Sequence, residues 1–202
     1  MQLRRLLKPG VFLLCLVPLA LMVFDAFTDG LGANPIEALT HQTGTWALRL
    51  LLITLAVTPA RRLLNWVWTT RLRRMLGLYA FFYALLHFLT YLVLDQFFAW
   101  DDILKDIVKR PYISIGFAAF VLLIPLAVTS TNGMIRRLGP RWNQLHQLVY
   151  VIAVCAVFHY LWLVKADNLQ PLIYAGILLA LLAVRAWFKR QARARRRTAA
   201  MS

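Results

Sequence analysis

The chain has 202 residues, of which 61% are hydrophobic and only 15% charged. A soluble domain carries about 25% charged residues, so a water-soluble globular enzyme is excluded. Apolar runs of about twenty residues instead predict an all-α membrane protein. The net charge of +15 would suit a nucleic-acid partner, but its placement along the chain speaks for membrane orientation and no nucleic acid.

Met1 to Lys8 is basic and is followed by an apolar run, Val11 to Phe27, that Pro18 is expected to kink. A basic start before an apolar run resembles a signal peptide. No small-x-small cleavage site follows, so the run is read as a first membrane span. The polar stretch TDGLGANPIEALTHQTG is expected to be a loop, with His41 in it. A second span covers about Thr45 to Ala60 and is ended by Pro59 and Arg61-Arg62. Leu63 to Arg74 is a basic connector whose Trp66 and Trp68 suit a membrane interface. Met75 to Leu94 is a charge-free third span, Asp95 to Pro111 a mixed-charge loop, and Tyr112 to Thr129 a fourth span. A basic connector, Ser130 to Trp142, leads into a fifth span from Asn143 to Val164. The sixth runs from Pro171 to Phe188, and residues 189–202 form a basic tail. Six transmembrane helices with short loops make one domain over 1–202, with no repeat apparent. Cys15 and Cys155 lie inside apolar runs without a Cys-x-x-Cys and read as small buried residues.

The charges sort by side. Arg4, Arg5 and Lys8, then Arg61, Arg62, Arg71, Arg73 and Arg74, fall on one side of the membrane. Arg136, Arg137, Arg141, Arg185 and the tail Lys189, Arg190, Arg193, Arg195, Arg196 and Arg197 join them. The opposite side holds only Lys105, Lys109, Arg110 and Lys165 among basic residues, together with the acids, including Asp25, Asp95 and Asp167. The positive-inside rule then puts both termini in the cytoplasm.

The chemistry-bearing residues are histidines. Imidazole in lipid is costly unless it is hydrogen-bonded or ligates something. His87 sits eight residues before Asp95 and His159 six before Lys165, which places both at matched depth in the outer half of the membrane. Two imidazoles on neighbouring helices at one depth are what bis-histidine ligation of a haem requires. His146 begins the fifth span at the inner side, about 20 Å from His159 along a helix rising ~1.5 Å per residue. That spacing suits a second, inner cofactor. Thirteen and fourteen residues before His87 stand Arg74 and Arg73, with Met75 nearby, so no fourth histidine completes an inner pair. At ~100° per residue, thirteen residues leave His146 and His159 about 140° apart in azimuth. Either the helix tightens locally or two cofactors approach it from different sides. Arg49, a turn inside the outer end of the second span and beside Trp46, either snorkels or pairs with a haem propionate. Lys109-Arg110-Pro111 reads as an interface anchor. The aromatic belt accounts for most of Trp142, Tyr150, Tyr160 and Trp162.

His87 and the His146-x12-His159 pair resemble the haem-binding core of the ferric reductase and NADPH oxidase transmembrane superfamily. The stretches LGANPIEALTHQTG, RRMLGLYAFFYALLHF, KRPYISIGF, RLGPRWNQLHQLVY, HYLWLVK and QPLIYAG resemble its small bacterial MsrQ (YedZ) branch, which also lacks the fourth histidine. That resemblance implies a haem b protein of the bacterial inner membrane, with one or two haems. Its ligands would be His87, His159 and His146, with Arg49 and Arg74 as further cofactor-binding residues. It also implies FMN as an associated cofactor, and quinol or a cytosolic flavin reductase as electron donor. The acceptor would be a periplasmic molybdopterin-containing subunit that reduces methionine sulfoxide in oxidised proteins. The chain would then be an electron-transfer subunit with no catalytic residue of its own. No Gly-x-Gly-x-x-Gly follows the sixth span, so no nucleotide-binding domain is expected there. A transporter would want carboxylates deep in its spans, and none is placed there. A structural or assembly protein would leave the histidines merely packed.

Overall fold

The computed structural model describes residues 2–164 and 169–199, with side chains for 6–164 and 169–194. Lys165 and Asp167, and the side chains of Arg4, Arg5, Arg195, Arg196 and Arg197, lie outside the described residues. The described residues contain helices and the turns between them, with no strand. The long helices are α1 (Gln2–Phe27), α2 (Pro35–Leu63), α3 (Arg73–Leu89), α5 (Pro111–Val128), α8 (Leu148–Leu163) and α9 (Leu169–Ala199). The short ones are α4 (Trp100–Lys109), α6 (Asn132–Leu138) and α7 (Pro140–Leu145). Six segments are long and apolar enough to cross a bilayer: Leu6–Phe27, Pro35–Leu63, Arg73–Asp95, Pro111–Val128, Pro140–Leu163 and Leu169–Ala194. The six expected spans are therefore present.

Burial ranks them. Half of the apolar window of α2 is buried, against 11–22% for the others, so α2 is the central helix. Leu48, Leu50, Leu51, Leu52 and Leu55 make it apolar on every side, as a helix surrounded by others must be. Antiparallel α2 and α3 form one closely packed pair, α5 and α8 a second, and α1 and α9 flank them. Large apolar residues such as Leu13, Phe24, Leu172 and Leu179 stay exposed on the flanking helices, where the surrounding medium is lipid.

Four features differ from expectation. Helix α2 starts ten residues early because Asn34 caps it. The Asn34 Oδ1 accepts from the Glu37 N–H at 3.3 Å, and the Asn34 amide donates to the Glu37 carboxylate at 2.9 Å. With Pro35 at the first helical position, this is a reciprocal cap that outweighs the polar composition of the turn. Nor does Pro59 end α2, which continues to Leu63. The mixed-charge stretch after Asp95 is not all loop, since it contains α4. The fifth span is broken: Gln147, Val149 and Tyr150 each donate to a carbonyl three residues back. Such a 3₁₀ turn advances ~20° more per residue than an α-helix. Over the few residues involved, that closes only part of the ~140° between His146 and His159.

The Pro18 expectation takes a specific form. The Tyr83 hydroxyl donates to the Cys15 carbonyl at 2.8 Å and accepts from the Leu19 N–H at 3.1 Å. It is thus inserted between a donor and an acceptor that would otherwise pair within α1. Tyr83 is fully buried, and nearby Tyr79 donates to the Phe12 carbonyl at 3.0 Å. Tyr83→Phe strands two backbone groups and is expected to cost about 1–3 kcal/mol. Tyr79→Phe, which loses one neutral bond, should cost less. Thermal midpoints in detergent check this order.

Candidate functional site

His87 lies near the end of α3, where the helix widens into a π-helical turn over Thr90–Asp95. Insertions of this kind often accompany functional positions. His159 lies on α8. Their ring centroids are 6.1 Å apart and the planes are inclined by 70°, so the matched depth counted from flanking charges is met.

Each ring is fixed in the same way. The His87 Nδ1 is 2.9 Å from the Thr40 carbonyl of α2, and the His159 Nδ1 is 2.7 Å from the Tyr112 carbonyl of α5. A carbonyl only accepts, so both Nδ1 atoms carry the proton and both Nε2 atoms keep a lone pair. A glycine lies against each ring. A Cβ on Gly44 would meet His87 Cε1 and Nδ1 at 3.0 Å, and one on Gly116 would meet His159 Nδ1 at 2.7 Å. In each case the carbonyl precedes the glycine by four residues, and the glycine precedes the histidine by 43. The two sets, Thr40–Gly44–His87 and Tyr112–Gly116–His159, are offset by 72 positions throughout. A structural repeat therefore exists where none is apparent in the sequence. The same offset relates Arg74 to His146, so Arg74 stands at the position of the missing fourth histidine.

His146 is held differently. Its Nδ1 is 3.1 Å from the Trp142 carbonyl one turn back, and its Nε2 is 3.5 Å from the Ser130 hydroxyl. The ring stacks on that of Trp142 with centroids 3.8 Å apart. The Leu126 carbonyl of α5 also faces the ring, but among the described residues no glycine lies against it as one does against the other two. It lines a cavity of about 650 Å³ at the basic end of the bundle, with Lys8, Arg61, Arg71, Arg73 and Arg74. Arg74 also donates to the Asn132 side chain.

The remaining candidates are dispersed. Arg49 Nε donates to the Tyr174 hydroxyl at 2.8 Å, and its guanidinium lies 4.9 Å from the Trp46 ring centre. That joins α2 to α9 and accounts for its burial within a span. His41 is not in a loop. It lies exposed in the second turn of α2, 3.8 Å from the Glu37 carboxylate. The four aromatics near the histidines have different partners. Trp142 donates to the Thr129 carbonyl, Tyr150 accepts from Arg185 and Tyr160 donates to Gln170, while Trp162 is exposed. Arg185 likewise turns inward, donating also to the Leu55 carbonyl at 2.5 Å.

Among the described residues no three His, Cys, Asp or Glu side chains converge on a metal-sized site. Two imidazoles alone suit an iron that brings its own equatorial ligands. With a first-row metal about 2.0–2.1 Å from each imidazole nitrogen, and the ring centre roughly 1.1 Å behind, facing rings stand ~6.2 Å apart. The observed separation of 6.1 Å fits a haem iron between them.

Residues 43–157 match the family described as ferric reductase like transmembrane component. The chain is 56% identical over 191 residues to the protein-methionine-sulfoxide reductase heme-binding subunit MsrQ of Herminiimonas arsenicoxydans, covering 92% of this chain and 88% of that one. It is 57% identical over 182 residues to the protein of the same name from Rhodospirillum rubrum, covering 90% and 88%. The chain belongs to the MsrQ family. A further member, from Xanthomonas axonopodis pv. citri, is 52% identical over 200 residues, covering 95% of this chain and 92% of that one. The similarity to MsrQ proteins thus takes in every span, whereas the broader ferric-reductase match includes Gly44, His87, Gly116 and His146 and stops two residues before His159.

Proposed function

We propose that this MsrQ-family chain is the electron-transfer subunit of a protein-methionine-sulfoxide reductase, carrying a haem b between His87 and His159. The observation that carries this reading is the pair of imidazoles 6.1 Å apart, each with its Nδ1 anchored to a backbone carbonyl. When bound, the haem supplies one-electron chemistry at iron. The chain's own residues do the rest. The carbonyls of Thr40 and Tyr112 fix ring orientation and make Nε2 a better donor to iron. Phe88, next to His87 in the chain, packs against Phe117 and Phe120 with ring centres 6.0 and 4.9 Å apart and adds apolar surroundings. Arg49 is a candidate propionate partner on the neighbouring helix.

At the basic end His146 and Arg74, with the other cations of the cavity, receive a second redox group of anionic character, an inner haem or FMN. Electrons enter there from quinol or a cytosolic flavin reductase. They leave at the acidic end to a periplasmic molybdopterin-containing subunit that repairs oxidised proteins. The one-sided basic segments support cytoplasmic termini, and the kinship with MsrQ proteins supports a bacterial inner membrane.

The test is colour and flow. Purified protein should show the reduced-minus-oxidised α band of a b-type haem, and the reduced band should bleach when the periplasmic subunit and a methionine sulfoxide substrate are added. A colourless protein, or a band indifferent to that addition, contradicts the reading. His146→Ala should leave the outer haem spectrum intact and slow its reduction by a flavin reductase at least several-fold. Loss of the outer spectral component in that variant would overturn the division into two sites.

A further inference from the structure

Helix α4 joins two membrane spans and carries an apolar stripe that none of the described residues covers. Trp100, Leu104 and Val108 recur every four residues and are 62%, 62% and 81% exposed. Phe97 and Phe98, at the entry to the helix, are exposed too, and both adopt positive φ, 46° and 60°. The directions around α4 decide what meets the stripe. At ~100° per residue, with Trp100 at zero, the exposed apolar residues fall at about 0°, 40° and 80°. Asp101, Lys105, Lys109 and Asp102 fall at about 100–200° by the same rule. The protein-facing residues, Asp106 and Ile103, fall at about 240° and 300°. Ile103 is buried, and Asp106 accepts from Tyr91 at 3.4 Å and pairs with Arg110 at 3.3 Å.

A helix lying along the membrane plane with one side against the bundle has two remaining vertical directions. The apolar stripe is centred about 130° from the protein side, turned towards one of them, and the ionic residues are centred about 120° from that side, turned towards the other. Both ends of α4 adjoin spans, at Asp95 and Pro111, so the helix sits at the level where those spans leave the hydrocarbon. The opposite orientation would press Asp102 and Lys109 into lipid while presenting Trp100, Leu104 and Val108 to water.

We infer that α4 is an interface-seated helix whose Trp100–Leu104–Val108 stripe is buried in the lipid headgroup and acyl boundary, making the bilayer surface its binding partner. Amphipathic helices of this composition seat their apolar face in that boundary. The placement has a structural consequence. Tyr91 and Ser114 both bond to α4, at the Asp106 carboxylate and the Ile107 carbonyl. The helix therefore straps the segment just after His87 to the first turn of α5, whose Tyr112 carbonyl holds His159.

The experiment uses the full chain in proteoliposomes, with single spin labels in a Cys15→Ala, Cys155→Ala background. Labels at Leu104→Cys and Val108→Cys should collide several-fold more with dissolved oxygen than with an aqueous nickel chelate. Labels at Asp102→Cys and Lys105→Cys should show the reverse. Equal nickel access at all four positions would overturn the inference, because the stripe would then face water. Shielding of positions 104 and 108 from both reagents would also overturn it, because a second copy or another protein would then cover the stripe. If the cysteine-free background does not fold, brominated-lipid quenching of wild type against Trp100→Phe reads the same placement. The wild type should lose a larger share of its emission, and equal quenching contradicts the seat.

Discussion

His87→Ala and His159→Ala are each expected to abolish one and the same low-spin haem component and to lower the haem-to-protein ratio equally. The expectation follows from shared ligation. With ring centres 6.1 Å apart, both imidazoles would hold one iron on the proposed reading, so either substitution would remove half of its protein ligation. That remaining ligand cannot hold iron in the same low-spin state, and the loss should be near complete. His146→Ala should retain the component, since His146 is bonded within its own turn and stacked on Trp142. If the two alanine variants lose different components, the pairing is wrong.

Gly116→Ala is expected to cost almost as much as removing His159 itself. The added Cβ would lie 2.7 Å from Nδ1 and 2.9 Å from Cε1 of that ring, distances at which something must move. The ring has little room to give, being held 2.7 Å from the Tyr112 carbonyl on one side, with the iron it is proposed to hold on the other. Gly44→Ala brings its Cβ only to 3.0 Å of the His87 ring. It should shift the midpoint potential and the axial-ligand spectrum while keeping most of the haem. Gly77→Ala is the control, because its nearest contact would be an ordinary 3.7 Å to Thr54 Cγ2. It should be neutral or stabilise by up to ~1 kcal/mol through helix propensity. Haem content and potential across the three variants separate a crowded imidazole from a helix that merely dislikes change.

The six spans were legible because lipid demands continuous apolar length, and the flanking charges then set the depth of His87 and His159. What escaped was carried by smaller signals. The start of α2 depends on the reciprocal Asn34–Glu37 cap, which polar composition hides, and His41 was misplaced with it. Helix α4 reads as a charged loop unless its four-residue apolar spacing is weighed against its acids. The anchoring carbonyls were unreadable in principle, since every residue has one. Only the glycines standing 43 residues before His87 and His159 leave a trace, and that spacing acquires meaning once α2–α3 and α5–α8 are seen as equivalent pairs. Arg74 shows the converse. Its position opposite the missing histidine was countable from the chain, and its contacts with Asn132 and the basic cavity were not.

The most direct measurement is low-temperature electron paramagnetic resonance of the oxidised, haem-loaded protein, read beside its haem-to-chain ratio. Two imidazoles inclined by 70° on one iron predict a strongly anisotropic low-spin ferric signal that vanishes in both His87→Ala and His159→Ala. A predominantly high-spin signal in the wild type, or a low-spin signal that survives either substitution, would contradict a shared iron.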